Sequence, residues 1–277
     1  MQSAAGDRPR RCARDGPVRC VPSSMGPGGA PVSAAAVATQ EALSCRGCPH
    51  LGVCMPALAV PSEGKPVRLI SNRLLLQRRE PLLAQGDRFV AVYGVRRGLL
   101  KGVLGTGASS GVVTGFFFPG DVAGLDGIAM DRHPTGLLSV TDAEVCVIPF
   151  GRLEAWAARS SQAQRHLHRL LSKEIGRSCM ALLPLARLTA AQRVADFLLR
   201  FAAAQSHGSG SPSDFVLALT LEEMGSHLGL QMETVSRVLS QLVSQRLIAR
   251  EGRSLRILEQ GDLGRLARAQ QIGPDAG

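Results

Sequence analysis

Near residue 150 the hydrophobic pattern changes period, and no other feature constrains the fold as tightly. From about 65 to 150, short apolar runs alternate with glycine turns. The runs are Arg73-Leu-Leu-Leu-Gln, Phe89-Val-Ala-Val-Tyr, Leu99 to Leu104, Val112 to Phe118 and Leu137 to Ile148. Gln85-Gly86-Asp87, Arg97-Gly98 and Pro119-Gly120-Asp121 supply turn chemistry between them. Many short strands at this spacing predict a jelly-roll or small barrel. From Gly151 the period becomes helical: Leu167, Leu171, Ile175, Cys179 and Leu182 share one stripe, opposite Arg169, Lys173 and Arg177. Strands first and helices afterwards make an α+β chain. The apolar stripe either covers the barrel or pairs with its twin in a homodimer, where Gly176 would permit close approach. Pro184, which has no N–H, is expected to kink or end this helix. A further helix is expected from about Thr189, a good N-cap, to Ala204, followed by a loop at 207–212.

The C-terminal third carries the clearest motif. Leu221-Glu-Glu-Met-Gly-Ser-His-Leu228 reads as a short helix, Gly229 as a turn, and Gln231-Met-Glu-Thr-Val-Ser-Arg-Val-Leu-Ser-Gln-Leu242 as a second helix. At about 100° per residue, Glu233, Ser236 and Arg237 cluster on one side and Val235, Val238, Leu239 and Leu242 on the other. One face is packed, while the other presents an acid, a hydroxyl and a guanidinium near the helix N-terminus. A recognition helix needs this in a major groove, since Arg reaches guanine O6/N7 and Glu accepts from cytosine N4. An ordinary surface helix with an i,i+4 Glu–Arg pair is the bland alternative. Residues 247–258 alternate around a turn and read as a β-wing, with Arg250, Arg253 and Arg256 available for phosphates. The net charge of +10, from 32 basic and 22 acidic residues, permits a polyanionic partner without establishing one.

Other classes recede on composition and pattern. Hydrophobic residues make up 45%, enough for a real core, yet no run approaches the roughly 18 apolar residues of a membrane span. No convincing secretory signal appears, so a cytoplasmic protein with reduced thiols is expected. No Ser/His/Asp order, phosphate-binding glycine loop or paired carboxylates suggest an enzyme. Residues 1–44, rich in Ala, Gly, Pro, Ser and Arg, read as a disordered tail, and Met25 is an alternative start.

Seven cysteines are too sparse for a disulfide scaffold, and their placement is more informative. Cys45, Cys48 and Cys54 form C-x2-C-x5-C, while Cys12, Cys20, Cys146 and Cys179 are scattered. Iron–sulfur clusters are usually held by four thiolates, and Gly47 and Gly52 would let the loop curl around one. Zinc competes for the same donors, although x5 is a looser match to its usual spacing. For each scattered cysteine a buried thiol is the bland reading, and spacing alone names no fourth ligand.

Three segments together make a specific resemblance: Cys45-Arg-Gly-Cys-Pro-His-Leu-Gly-Val-Cys54, Glu144-Val-Cys-Val-Ile-Pro-Phe150 and Gly229-Leu-Gln-Met-Glu-Thr-Val-Ser-Arg237. From about 45 to 258 the chain resembles the FNR branch of the CRP/FNR transcriptional regulators. The resemblance implies a tail (1–44), a cluster loop (45–60), a β-roll (jelly-roll) sensor domain (61–150) and a long dimerisation helix (151–186). A winged helix-turn-helix (187–260) and a C-terminal helix and tail (261–277) complete it. It also implies a [4Fe-4S] cluster on Cys45, Cys48, Cys54 and Cys146, the last named only by the Ile-Pro-Phe-like step that follows it. Double-stranded DNA with palindromic TTGAT-type half-sites would be read by Glu233, Ser236 and Arg237. An activator that dimerises with its cluster intact, loses it to oxygen and contacts RNA polymerase is the implied mechanism. No cyclic nucleotide is expected, because Asp121-Val-Ala-Gly-Leu-Asp-Gly-Ile and Arg132-His-Pro-Thr-Gly lack the phosphate-binding Arg-Ser/Thr pair. Haem on His50 or His133, another effector, or a structural zinc site are the alternatives on the same fold. Three features depart from the family pattern: no acidic residue between Gly176 and Ala195, Pro184 near the helix end, and Pro49 after the second cysteine.

Overall fold

The structure, a computed structural model, describes Cys45, Cys48, His50, Cys54 and residues 69–105, 111–159, 161–206 and 214–268. For residues 180 and 182–187 it describes the backbone only. The tail, Met25, Cys12, Cys20, Gly47, Pro49, Gly52, the 207–212 loop and residues beyond 268 lie outside that set.

Eight strands form the first half: β1 (Asn72–Leu76), β2 (Pro81–Leu83), β3 (Ala91–Arg97), β4 (Leu100–Leu104), β5 (Val112–Phe117), β6 (Val122–Ala123), β7 (Gly136–Ser139) and β8 (Ala143–Pro149). They make two antiparallel sheets, ordered β1-β8-β3-β6 and β2-β7-β4-β5. Period-two alternation sends Leu76, Leu83, Val95, Leu100, Phe117, Ala123, Leu137 and Val145, one from each strand, into a shared core. The opposite face of the first sheet carries Val92, Cys146 and Ile148, which pack with Leu153 and Trp156 from the helix that follows.

The apolar run from Leu137 to Ile148, expected as one strand, is two. Val140 is buried, and the polar pair Thr141-Asp142 then interrupts the run. Polar caps create the corner: Leu99 N donates to Thr141 Oγ1 at 3.0 Å and Arg78 N to Asp142 Oδ1 at 2.8 Å. The chain thereby crosses from the second sheet to the first.

The period change at residue 150 coincides with the junction between β8 and α1 (Phe150–Ala157). Next comes α2 (Ser161–Arg187), whose 27 residues at ~1.5 Å each span about 40 Å. Contrary to expectation, the helix runs through Pro184 and ends three residues later. A proline removes one backbone bond, a loss that a long helix can absorb near its end. Leu167 and Leu171 lean on the core of the roll, whereas Ile175 is 66% exposed and Cys179 is exposed. The charged face turns towards the roll: Lys173 Nζ lies 3.1 Å from Asp121 Oδ1, and the Arg177 guanidinium sits 4.0 Å above the Phe117 ring. Among the described residues no helix is long and apolar enough to cross a membrane.

The last part contains α3 (Ala190–Ser206), β9 (Asp214–Val216), α4 (Leu221–Leu228), α5 (Met232–Ser244), β10 (Ile248–Glu251), β11 (Ser254–Ile257) and α6 (Gln260–Arg268). Thr189 and Gln192 form a reciprocal cap before α3, with Thr189 N donating to Gln192 Oε1 at 2.8 Å. Leu198, Met224, Leu239, Leu242, Ile248 and Leu263 share one core, which continues into Leu99, Val113 and Phe116 of the roll. Strand β9, too short to show a period, pairs with β11 and widens the wing to three strands.

Candidate metal centre and nucleic-acid interface

Across the first sheet, register sets Arg73 of β1, Cys146 of β8 and Gly94 of β3 in one row. The cysteine loop approaches that row on the side where Gly94 offers no side chain. A Cβ built on Gly94 would lie 3.8 Å from both Cys54 Sγ and Cys146 Cβ. Local hydrogen bonds curl the loop, Cys48 N to Cys45 O at 3.1 Å and Cys54 N to His50 O at 2.8 Å. His50 Nε2 stands 2.9 Å from Arg96 O and ties the loop to β3. As a result Cys45, Cys48, Cys54 and Cys146 all line one small cavity, together with His50, Ile70, Arg73 and Arg96. Among the described residues its wall carries no carboxylate. Among the same residues, however, no three His, Cys, Asp or Glu side chains are drawn into metal-holding proximity. The thiols surround the cavity without closing into a coordination sphere.

The cavity's electrostatics oppose thiolates that lack a cation. Burial, then the neighbouring Cys146 and Cys48 charges, push the Cys45 thiol up to about 11, with Arg73 pulling the other way. Burial likewise raises Cys146, against the Arg73 guanidinium. Behind the cysteines, Arg96 Nη1 donates to Glu144 Oε1 at 2.8 Å and Oε2 at 2.6 Å, and Arg97 Nη2 reaches Oε2 at 2.9 Å. Burial would raise Glu144, but these two guanidinium groups outweigh it and hold the carboxyl below its usual range.

The other flagged groups lie apart. Cys179 is exposed on α2. His133 is 1% exposed, packed beside Phe89 and Tyr93 with Nδ1 3.6 Å from Asp126 Oδ1, as a core histidine.

In the C-terminal part, Thr220 and Glu223 form a capping box at the start of α4, and Gly229 ends it in the left-handed region at φ 63°. Gly225 is required at the turn, because a Cβ there would meet Leu230 O at 2.6 Å. Its spacing in the sequence gave no hint of this, since the close approach comes from the chain doubling back. Helix α5 buries Val235, Val238, Leu239 and Leu242 and leaves Glu233 and Arg237 exposed, with Ser236 half-buried. Arg237 donates to Thr234 Oγ1 at 3.2 Å, and among the described residues no ion pair joins it to Glu233. Both side chains therefore face solvent without engaging each other. Arg250 and Arg253 are exposed on the wing. Arg256, expected to be available for phosphate, instead pairs with Asp214 Oδ1 at 2.5 Å, because β9 brings that carboxylate beside it.

One set of contacts had no local sequence signal. Lys101 of β4, its side chain 8% exposed, donates to Glu223 Oε1 at 2.7 Å. Val113 N donates to Ser226 Oγ at 3.0 Å, and the His227 ring packs edge-on against Phe116. The first helix of the helix-turn-helix is thus bonded to the β4–β5 hairpin.

Known proteins share both parts. The Crp-like helix-turn-helix domain matches residues 192–267. The chain is 34% identical over 230 residues to the transcriptional activator protein anr of Pseudomonas aeruginosa, covering 83% of this chain and 94% of that protein. It is 29% identical over 227 residues to the fumarate and nitrate reduction regulatory protein of Vibrio cholerae, covering 82% and 91%. Among solved structures, FixK2 from Bradyrhizobium japonicum superposes with a TM-score of 0.65 at 27% identity, over 72% of this chain and 98% of that one. A strand-built roll bonded to a winged helix-turn-helix, matched over most of its length by such relatives, makes this chain a member of the CRP/FNR family of transcriptional regulators, on its FNR-like branch.

Proposed function

We propose that this DNA-binding regulator senses oxygen through a [4Fe-4S] cluster held by Cys45, Cys48, Cys54 and Cys146. The observation carrying the proposal is the cavity that the loop cysteines share with Cys146, lined by no carboxylate among the described residues. Soft sulfur donors without hard oxygen ligands suit iron–sulfur or zinc and disfavour magnesium or calcium. When bound, the cluster supplies an oxygen-labile bond between the loop and β8. The chain's own residues turn that bond into regulation: His50 docks the loop on β3, and Cys146 anchors it beside the packing of α1 and α2.

Helix α2 is the proposed dimer surface. Its cations clasp the roll and leave Ile175 and Cys179 uncovered on the far side, an unpartnered apolar stripe that a second copy would bury. Nothing lies within 4 Å of a Cβ built on Gly176, so a partner helix has room there. The dimer presents two α5 helices to half-sites about one helical turn apart. Glu233, Ser236 and Arg237 read base edges of TTGAT-type half-sites, while Arg250 and Arg253 contact phosphates. RNA polymerase is the further partner at activated promoters. No cyclic nucleotide is required.

Purification without oxygen tests the reading. A coloured protein with iron and sulfide, whose visible absorption bleaches in air while operator binding falls, is expected. A colourless protein with one zinc per chain and oxygen-indifferent DNA binding would replace the cluster by a structural zinc site.

A further inference from the structure

We propose that Arg73 and Arg96, aligned by Glu144, compensate the charge of the four-thiolate centre and set how firmly it is retained. This inference rests on the four-cysteine reading above. Four thiolates around a dipositive core leave about two negative charges, whether the core is [4Fe-4S] or zinc. A partly buried cavity solvates such charge poorly, so nearby cations with N–H groups directed at sulfur stabilise it.

The sheet supplies those cations by construction. Arg73 is the cross-strand neighbour of Cys146 and so projects from the same face of the sheet. Arg96 lies where the β3–β8 register slips between Val95 and Arg97. Alternation from Val92 and Gly94 sets Arg96 on the cavity face, and the slip turns the next residue, Arg97, toward Glu144 as well. Both arginines line the cysteine cavity. The Arg73 guanidinium favours the ionised Cys146 thiol against burial, and Cys48 is among the groups that favour the charged form of Arg96. Arg96 Nε is buried and, among the described residues, has no hydrogen-bond partner, a donor that a sulfur acceptor would satisfy.

Glu144 holds the arrangement in place. It lies two residues before Cys146 on the same strand face, accepts both contacts from Arg96 Nη1, and sits 3.8 Å from Arg73 Nε. One carboxylate thus fixes two guanidinium groups without neutralising both. Arg97 supplies a control. It also binds Glu144, yet its side chain is 72% exposed and it does not line the cavity.

The test compares Arg73→Gln, Arg96→Gln, Arg96→Lys and Arg97→Gln in the full chain. Each protein is reconstituted anaerobically with iron and sulfide and challenged with a chelator. Each apo-protein is also titrated with Co2+, which reports thiolate ligation by its charge-transfer absorption. Partners of metal ligands typically change metal affinity by about 10–100-fold. Arg73→Gln and Arg96→Gln are therefore expected to weaken retention about tenfold or more in both assays. Arg96→Lys should recover most of the loss, and Arg97→Gln should stay within about twofold of the parent. Parent-like retention in both glutamine variants, or an equal loss in Arg97→Gln, overturns the proposal. If either glutamine variant fails to fold, the other, with Arg96→Lys, decides the question by the same thresholds. A parent that takes up Co2+ but no cluster refutes the iron–sulfur reading while the arginine comparison still stands on cobalt. A parent that binds neither refutes both.

Discussion

Glu223→Gln isolates the bond between the sensor hairpin and the first DNA-binding helix. Glutamine still serves at the third position of a capping box, so the variant keeps the start of α4 and removes only the charge facing Lys101. Lys101 then remains as an ammonium whose side chain is 8% exposed, with its carboxylate gone. Removing one partner of a fully buried pair costs about 3–5 kcal/mol. Glu223 is 21% exposed, so water partly screens the pair, and about 2–3 kcal/mol is expected for Glu223→Gln or Lys101→Met alone. The double variant leaves no orphaned charge and should lose less than the sum, with a coupling of about 1.5–2 kcal/mol. Calorimetric and urea unfolding of the four proteins measures this, with circular dichroism following the helices. Trp156 sits in α1, so its fluorescence reports separately on the sensor part. The pH dependence has a definite sign. Burial opposes the charge on Glu223, but the Lys101 ammonium and the Thr220 N–H outweigh burial and hold the carboxyl below its ordinary value of 4.5. The stability it contributes is complete above that value and is lost as pH falls through the lower folded one. Additive losses, with coupling below about 0.5 kcal/mol, would show that the pair does not join the two parts.

Three further outcomes follow from the same geometry. Cys146→Ser should abolish cluster retention and anaerobic operator binding while Cys179→Ser spares both, as iron content and gel shifts will register; equal losses would misplace the fourth ligand. Glu233→Ala should relax base preference at one half-site position with the salt dependence of binding nearly unchanged, because it removes a base-edge contact and no phosphate contact; uniform weakening on all DNA would contradict that role. His227, lowered from 6.5 chiefly by burial and further by Arg200 against the Val113 carbonyl, takes up its proton more readily unfolded, so stability should decline as pH drops below about 6.5. His227→Phe keeps a ring against Phe116 and Phe197 and should flatten that decline between roughly pH 6.5 and 5 in urea titrations, whereas an unchanged profile would assign the acid sensitivity elsewhere.

The sequence by itself determined whatever depends on neighbours a few residues apart. The change of period at 150, the capped start of α3, both helix-turn-helix helices and the sidedness of α5 all follow from local spacing, because side-chain direction repeats with the backbone. The three-cysteine loop was legible for the same reason. Spacing carried no information about which residues the sheet sets side by side. Cys146 entered only through family resemblance, and register then placed it beside Gly94 and Arg73. Alternation sets the face of Arg96, but only the docking of the cysteine loop against β3 makes that face the wall of the cavity. Two local readings failed for a related reason: Thr141 and Asp142 form a corner through caps to Leu99 and Arg78 far along the chain, and Arg256 met its carboxylate through a strand too short to recognise. Lys101 and Glu223 are 122 residues apart, and only the packing of the hairpin on α4 makes them partners. Local backbone geometry therefore fixed the elements and their faces, while pairing across the sheets, which brings distant charges into one poorly solvated space, decided where the chemistry sits.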